Sequence, residues 1–149
     1  MRVSVVVLAS FLALGAQSDQ ETDNIREATF RYMFAKNASG QQQAAKVYCL
    51  SVEDQDPADD FMHRFANDTP PVKKASQCTA SAREGVRDKE TGARGLAFRV
   101  DKLTKKEDSR AEVDGGYYEA GLSASGNTYS LEKKEGVWKV VKDVMHWIS

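Results

Sequence analysis

The side chains in this sequence best suited to chemistry are carboxylates and phenols in its C-terminal half. Asp101 and Asp114 precede two adjacent tyrosines, Tyr117 and Tyr118. A carboxylate with a raised pKa and a tyrosine that donates a hydrogen bond can together transfer protons next to a carbonyl group. Tyrosine is also an ordinary strand residue, and the Gly115-Gly116 pair predicts a bulge or a sharp bend. These side chains are therefore candidates for catalysis, with a structural role as the alternative.

Metal and nucleophile chemistry have less support in the sequence. The histidines, His63 and His146, are not at the spacing of metal ligands. No Ser-His-Asp or Cys-His set is indicated, and a disulfide would remove both thiols from such a role. We expect no metal and no cofactor.

The most acidic run of the chain has two interpretations. Asp54 and Asp56 are spaced like the first ligands of a calcium loop, but Ala58 and Asp59 stand where that pattern needs another ligand and a glycine. Alternatively, Asp56 caps a short helix over Pro57–Ala66, and the acidic residues that follow complement the helix dipole. We prefer the cap, because it accounts for the proline and for the acidic residues.

The chain contains two cysteines, Cys49 and Cys78. Cys49 lies in the predicted strand Ala45–Val52, and Cys78 lies in the predicted strand Lys74–Ser81. In an exported protein, two cysteines permit one intramolecular disulfide. Two buried free thiols are the alternative. We predict the disulfide, which would close a loop of about 30 residues and stabilise the fold by roughly 3–4 kcal/mol.

The N-terminus has the outline of a signal peptide over Met1–Ser18. Val3–Leu14 is an apolar run too short to span a bilayer, and polar sequence begins abruptly at Asp19. A buried N-terminal strand is the alternative. Small residues before the boundary favour cleavage after Ser18, which would leave one mature domain, residues 19–149. We therefore predict a secreted or periplasmic protein without a stable membrane anchor.

The charge balance of the chain argues against one class of partner. The sequence has 21 basic and 22 acidic residues, a formal net charge of −1. Removing Arg2 with the signal peptide leaves 20 basic residues against the same 22, a net charge of −2. This balance gives no global attraction to nucleic acid or to an anionic membrane. The partners that we expect are an unknown protein or a small apolar ligand.

The elements that must position these side chains end in a long hairpin over Asn127–Ile148. Two alternating runs flank Glu135-Gly136, an acidic-glycine pair typical of a two-residue hairpin turn. This turn predicts the following cross-strand pairs: Leu131 with Val140, Lys133 with Trp138, Tyr129 with Lys142 and, on the opposite face, Glu132 with Lys139. We expect the rest of the chain to pack around this ribbon.

The other elements are predicted from apolar periodicity and from turn residues. Thr22–Lys36 is a helix candidate with two apolar faces, one centred on Ile25 and Met33 and the other on Phe30 and Phe34. One strand begins at Gly95, with a bulge near Lys102, and the next covers Ser109–Gly121. Loops or turns are predicted over 67–72, 82–92, 105–109 and 123–127. The fold class is α+β, with an N-terminal helix and a short second helix packed on a curved antiparallel sheet that ends in a four-strand meander.

The C-terminal stretch E-K-K-E-G-V-W-K-V-V resembles the last hairpin of one fold superfamily. This is the cystatin-like architecture shared by nuclear-transport-factor-like and ketosteroid-isomerase-like (SnoaL-like) proteins, whose last hairpin often has an acidic-glycine turn, an aromatic residue and alternating aliphatics. The resemblance covers roughly the last third of the chain and, more loosely, the first helix. It implies a pocket between that helix and the concave face of the sheet. The Gln-x-Val-x-Gly loop of cystatin inhibitors is absent, since residues 43–47 read Q-A-A-K-V, and the catalytic acid and tyrosine of the isomerases have no assigned position here.

Aromatic side chains are the candidates to line such a pocket around a small apolar ligand. The candidate ligand-binding residues are Tyr32, Phe98, Tyr117, Tyr129, Trp138 and His146. The alternative is that they fill the space as packed core, with His146 hydrogen-bonded among them.

The last strand is apolar on both faces near its end, where a strand with one solvated face should alternate. In a regular strand Val141, Met145 and Trp147 lie on the face opposite Trp138 and Val140, so a partner would have to cover them. A homodimer is the simplest source of that cover. We therefore predict an exported, non-catalytic module that binds a partner or ligand. The alternative is a small pocket enzyme of the isomerase-like type that uses a buried carboxylate and a tyrosine.

Overall fold

The computed structural model describes residues 12–149, with side chains from residue 19 onwards. Residues 1–11, which carry most of the predicted signal peptide of Met1–Ser18, lie outside the described part. The signal peptide and the mature domain boundary therefore stay predictions. No helix within the described residues is long and apolar enough to cross a membrane.

Helix α1, Leu12–Lys36, packs with two faces against different parts of the fold. The predicted helix over Thr22–Lys36 is confirmed at its C-terminal end, and the observed helix begins further upstream. Ile25 and Met33 are buried on one face. Phe30 is buried on the other, with its ring centroid 6.1 Å from that of Phe61. Both predicted apolar faces are therefore used, because the helix contacts the sheet on one side and the short second helix on the other.

The short second helix is confirmed, but its predicted cap is wrong. Helix α2 covers Asp59–Met62, a 3-10 turn continues it over His63–Phe65, and its N-terminus has no side-chain cap. The carboxylate of Asp56 instead accepts hydrogen bonds from the backbone N–H of Ser76, at 2.9 Å, and from the Ser76 hydroxyl. These bonds lower the pKa of Asp56. They direct the carboxylate toward a different 3-10 turn, Ala75–Gln77, and away from α2.

The described residues form one eight-stranded sheet whose main path runs in the order β2-β1-β5-β6-β7-β8. Its strands are β1 Tyr48–Val52, β2 Val72–Lys74, β3 Cys78–Ser81, β4 Gly85–Asp88, β5 Arg94–Glu107, β6 Arg110–Ala120, β7 Ser123–Lys134 and β8 Val137–Ile148. The α+β prediction is confirmed, as is the closing antiparallel meander of β5 to β8. The curved, open sheet is mixed, since β1 runs parallel to both β2 and β5.

A hairpin of β3 and β4 lies off the main path of the sheet. The disulfide between Cys49 of β1 and Cys78 of β3 is present, with the Cα atoms 6.4 Å apart. The single strand predicted over Lys74–Ser81 is interrupted by the 3-10 turn Ala75–Gln77. The loop predicted over 82–92 is also wrong, because it contains β4, whose Val86 is buried beside Cys49.

The meander has one predicted bulge and one misplaced turn. The register of β5 against β6 shifts between Val100 and Lys102, which confirms the bulge near Lys102. The turn predicted over 123–127 is wrong, because β7 already begins at Ser123. The extra residue of the bulge near Lys102 is Asp101 of β5, opposite the step from Asp114 to Gly115, so β6 gains no residue at its glycine pair. The Gly115-Gly116 pair allows close approach, since a Cβ on Gly116 would lie 2.0 Å from the carbonyl oxygen of Ser125.

The β7–β8 hairpin turns at Glu135-Gly136, as predicted. Both residues have positive φ, 53° and 79°, the conformation that a two-residue turn of this kind requires. The pairs Leu131–Val140, Glu132–Lys139 and Lys133–Trp138 are confirmed. Tyr129 faces Asp143 rather than Lys142, because Val141 is an extra residue in β8. A second shift makes His146 extra as well.

Candidate functional site

The aromatic residues proposed to line a pocket are mostly packed core. Phe98, Tyr117, Tyr129 and Trp138 are all buried. The ring of Phe98 lies 5.2 Å from those of both Phe34 and Tyr48. The space between α1 and the sheet is therefore filled along most of its length.

Between α1 and the β7–β8 turn lies an open depression of about 330 Å³, which Trp138 lines. A small cavity lies at the C-terminal end of α1. Its volume is about 20 Å³, which is room for about one water molecule. Tyr32 and Met33 line it from the helix, and Tyr117, Tyr129 and Met145 line it from the sheet. The structure thus brings together the three tyrosines of the predicted set and places Phe98, Trp138 and His146 elsewhere.

A polar chain crosses the wall of this cavity. The Tyr32 hydroxyl lies close enough to the carboxylate of Asp143 that, besides burial, this carboxylate raises the pKa of Tyr32, and the amide nitrogen of Asn127 donates to Asp143 Oδ1 at 2.6 Å. Asn127 is only 5% exposed, and its Oδ1 has no hydrogen-bond partner among the described protein atoms. Burial, and then the neighbouring Asp143 carboxylate, raise the pKa of both Tyr32 and Tyr129. The cavity therefore offers one unused acceptor beside a carboxylate and a phenol.

The carboxylates that the sequence singled out lie away from this cavity. Asp101 is exposed and pairs with Arg99 at 3.0 Å. Asp114 accepts a hydrogen bond from the Thr128 hydroxyl at 2.6 Å on the outer face of the sheet, the face turned away from α1. Tyr118 packs near the disulfide rather than beside Tyr117. The carboxylate in the cavity is Asp143, which the regular hairpin register directs to the other face.

Asp114, Thr128 and His146 form a hydrogen-bonded row on the outer face. The Thr128 oxygen lies 2.7 Å from His146 Nε2 and 2.6 Å from Asp114 Oδ1. The hydroxyl has one proton, which it donates to the carboxylate, so His146 Nε2–H is the donor to the threonine. In this arrangement the histidine does not act as a base toward Thr128. The row is exposed, and we interpret it as a structural link between strands β6, β7 and β8.

Two bulges decide which way the side chains of β8 point. Met145 pairs with Asn127 and lies on the inner face, the face that packs against α1. Trp138 lies on this same face, so the prediction that Met145 lies on the other face is wrong. Trp147 pairs with Gly126 on the outer face, where the Arg99 guanidinium lies 5.8 Å from its ring. His146 also lies on the outer face, not beside Trp138 as predicted, because it is the extra residue of the second bulge. Val141, the other extra residue, lies beside Ser130 on the outer face.

Strand β8 is the largest unpartnered apolar feature of the described residues. It is an edge strand that pairs with β7 alone. Its exposed apolar residues are Val137, Val141, Val144, Met145, Trp147 and Ile148. Leu122, in the turn between β6 and β7, is the one exposed large apolar residue of the described part that lies elsewhere.

No protein-family model, curated protein or solved structure matches this chain. Among the described residues, no group of three or more histidine, cysteine, aspartate or glutamate side chains is placed to hold a metal ion. The disulfide indicates a compartment outside the cytoplasm, because thiols are kept reduced in the cytosol.

Proposed function

We propose that this protein is an exported, non-catalytic module that associates through strand β8, with a homodimer as the simplest assembly. The observation that supports this function is the concentration of exposed apolar side chains on one edge strand. Trp147 is 49% exposed, Met145 44% and Val144 37%. Contiguous apolar surface of this kind is typical of an interaction site.

The position of these residues in the sheet supports the same function. An edge strand presents unpaired N–H and C=O groups along one side, and natural proteins usually protect such edges with charges, prolines or short strands. Strand β8 is long and contains no proline, and its second half, from Val144 to Ile148, contains no aspartate, glutamate, lysine or arginine. An edge that is both unpaired and apolar fits a surface that a partner covers in the native assembly.

The test is sedimentation velocity on the mature protein over a concentration series. Trp147→Glu places a carboxylate near Arg99, so the fold should tolerate it, but it removes the largest apolar side chain of the edge. Leu122→Glu also replaces an apolar side chain by glutamate, at a residue that is 81% exposed and lies outside β8. We expect the wild type and Leu122→Glu to associate and Trp147→Glu to remain a folded monomer. A wild type that is monomeric at every concentration, or a dimer unaffected by Trp147→Glu, would overturn the proposal.

Export is part of this proposal, and the disulfide supports it. The signal peptide predicts that the mature chain begins at Asp19. N-terminal sequencing of protein recovered from the periplasm or the culture medium tests the boundary. An uncleaved chain retained in the cytoplasm would contradict export.

A second candidate function is a small pocket enzyme, and the Tyr32–Asp143–Asn127 chain is the observation that favours it. A carboxylate beside a phenol suits proton abstraction next to a carbonyl group. The test is hydrogen–deuterium exchange into a panel of ketones in D2O, followed by NMR. Exchange that is lost in both Tyr32→Phe and Asp143→Asn would support this function, and exchange no faster than in buffer would exclude it for these ketones.

A further inference from the structure

We infer that the occupant of the β8 edge is a second copy of this chain, paired antiparallel with β8 about a two-fold axis at Val144. The inference rests on the proposed function and adds its geometry. It follows from the faces that the two bulges assign to each residue of the strand.

The pairing of β8 with β7 fixes those faces, because residues directly opposite in an antiparallel pair point to the same side. Met145 pairs with buried Asn127 and Asp143 with buried Tyr129, so both lie on the inner face. Val144 pairs with Thr128 on the outer face. In full, the inner residues are Val140, Asp143, Met145 and Ile148, and the outer residues are Val141, Lys142, Val144, His146 and Trp147.

A two-fold axis between antiparallel edge strands is perpendicular to the sheet, so it leaves every side chain on its own face. Residues that meet across the axis must therefore share a face. With the axis at Val144, Asp143 meets Met145, both inner, and Lys142 meets His146, both outer. The condition also holds for the two remaining pairs, Val141 with Trp147 and Val140 with Ile148. The two outer-face doublets that the bulges create, Val141-Lys142 and His146-Trp147, are thus symmetric about Val144, and the match extends from Val140 to Ile148.

The chemistry of these pairs also fits. The exposed Val141 meets the exposed Trp147 of the second copy, and Val144 meets itself, so apolar surface covers apolar surface. No acidic residue faces an acidic one and no lysine or arginine faces another, since the residue opposite Lys142 is His146. Like charges directly opposite would be destabilising.

One other register keeps the faces matched over a long stretch, with the axis between Val141 and Lys142. It sets apolar residues against charges at three pairs, Val141 with Lys142, Val140 with Asp143 and Lys139 with Val144, whereas the axis at Val144 does so at one, Asp143 with Met145. It also leaves Trp147 and Ile148 beyond the paired region, at the turn of the second copy. An axis at Asp143 fails in both charge and face. Asp143 would face the Asp143 of the second copy, and the outer residue Val141 would face the inner residue Met145.

Edge pairing also explains why both faces of β8 are exposed near its end. A partner that covered only the outer face would leave Met145 and Ile148 in solvent, and these are inner residues that are exposed. A strand added at the edge brings side chains alongside both faces at once, as in other recognition by strand addition.

Cysteine cross-linking tests the register, because both native cysteines are held in the disulfide. Directly opposite residues of antiparallel strands have Cα atoms about 4.5–5.5 Å apart, within the range that a disulfide spans. We expect Val144→Cys to form a covalent dimer under mild oxidation. The control Val137→Cys lies on the same strand and is more exposed than Val144, at 54% against 37%, yet it should stay monomeric on non-reducing gels. Thermal melts confirm that both variants are folded.

A mixing experiment distinguishes cross-linking through the proposed register from cross-linking by random collision. We expect Val141→Cys chains and Trp147→Cys chains to cross-link when mixed, at least tenfold more than either does alone. If sedimentation shows a dimer that Trp147→Glu dissociates, while Val144→Cys does not cross-link, this inference fails and the proposed function stands. If Val137→Cys cross-links as well as Val144→Cys, the register is also refuted. If the wild type is monomeric throughout, both the inference and the proposed function fail.

Discussion

The disulfide between Cys49 and Cys78 ties the β3–β4 hairpin to the centre of the sheet, and its removal gives a quantitative prediction. The bridge joins residues 29 apart in sequence. In the chain-entropy model, closing a loop of this length lowers the entropy of the unfolded chain enough to stabilise the fold by about 3.6 kcal/mol at 25 °C. We predict this loss for the double variant Cys49→Ala/Cys78→Ala. Alanine avoids leaving an unsatisfied hydroxyl at the buried position of Cys49.

Urea denaturation followed by circular dichroism measures this change. The double variant should lose about 3.6 kcal/mol, plus a small packing term for the missing sulfur atoms. Its m-value should rise, because an unfolded chain without the cross-link exposes more surface. Wild-type protein reduced with dithiothreitol is the matched control, since it loses the bond but keeps every side-chain atom. Dithiothreitol should leave the double variant unchanged.

Two results would refute this reasoning. One is a double variant and a reduced wild type that both lie within about 1 kcal/mol of the oxidised protein, because the predicted entropic effect is several times larger. The other is a large loss in the double variant with none on reduction, which would assign the effect to packing around Cys49.

Hydrogen bonds from Thr91 and then Lys73 lower the pKa of Asp88 to about 2. The stability that depends on ionised Asp88 is therefore complete above about pH 4 and is lost as the pH falls toward 2. Asp88→Asn should flatten the dependence of the unfolding free energy on pH in that window. Gly116→Ala should cost about 3 kcal/mol in urea titrations, because its Cβ would meet a backbone carbonyl. Gly40→Ala, with nothing within 4 Å, should change stability by less than about 0.5 kcal/mol; equal effects at the two glycines would contradict the close approach. Ultraviolet titration should show a late phenol ionisation that Tyr129→Phe removes, because burial raises the pKa of Tyr129.

Features encoded by a few adjacent residues could be predicted from the sequence. The hairpin turn needs positive φ at two positions, and Glu135-Gly136 supplies it. The first three cross-strand pairs then follow by counting outward from the turn. The disulfide was predictable because only one pairing exists. In each case the information lies within a short segment or within a count.

Features that depend on distant partners could not be predicted in this way. Asp56 has the position and chemistry of a helix cap, but the donor that it binds is Ser76, which lies in a different turn. Strand β4 could not be predicted because its charged residues are typical of a solvated loop. In the structure its Asp88 is buried beside Lys73 and Thr91 rather than exposed to solvent.

The candidate cavity was only half predictable for the same reason. The three tyrosines follow from apolar periodicity, but Asp143 enters the cavity because Val141 is an extra residue in its strand. One inserted residue transfers every later side chain to the opposite face. No residue type near Val141 marks the bulge, so counting from the turn assigns Asp143 and Met145 to the wrong side.

The bulges of β8 also make the strand unequally tolerant of changes in length. Deleting Val141 would remove the extra residue, leave Val140 opposite Leu131 and Lys142 opposite Ser130, and keep every later side chain on its present face. Deleting Val144, between the bulges, would transfer Met145 and His146 to the wrong faces before loss of the second bulge could restore Trp147 and Ile148. Single-residue deletions among natural variants of this protein should therefore occur at the bulges and be rare between them. The positions of such deletions would then show where the bulges lie, which no residue type in the sequence indicates.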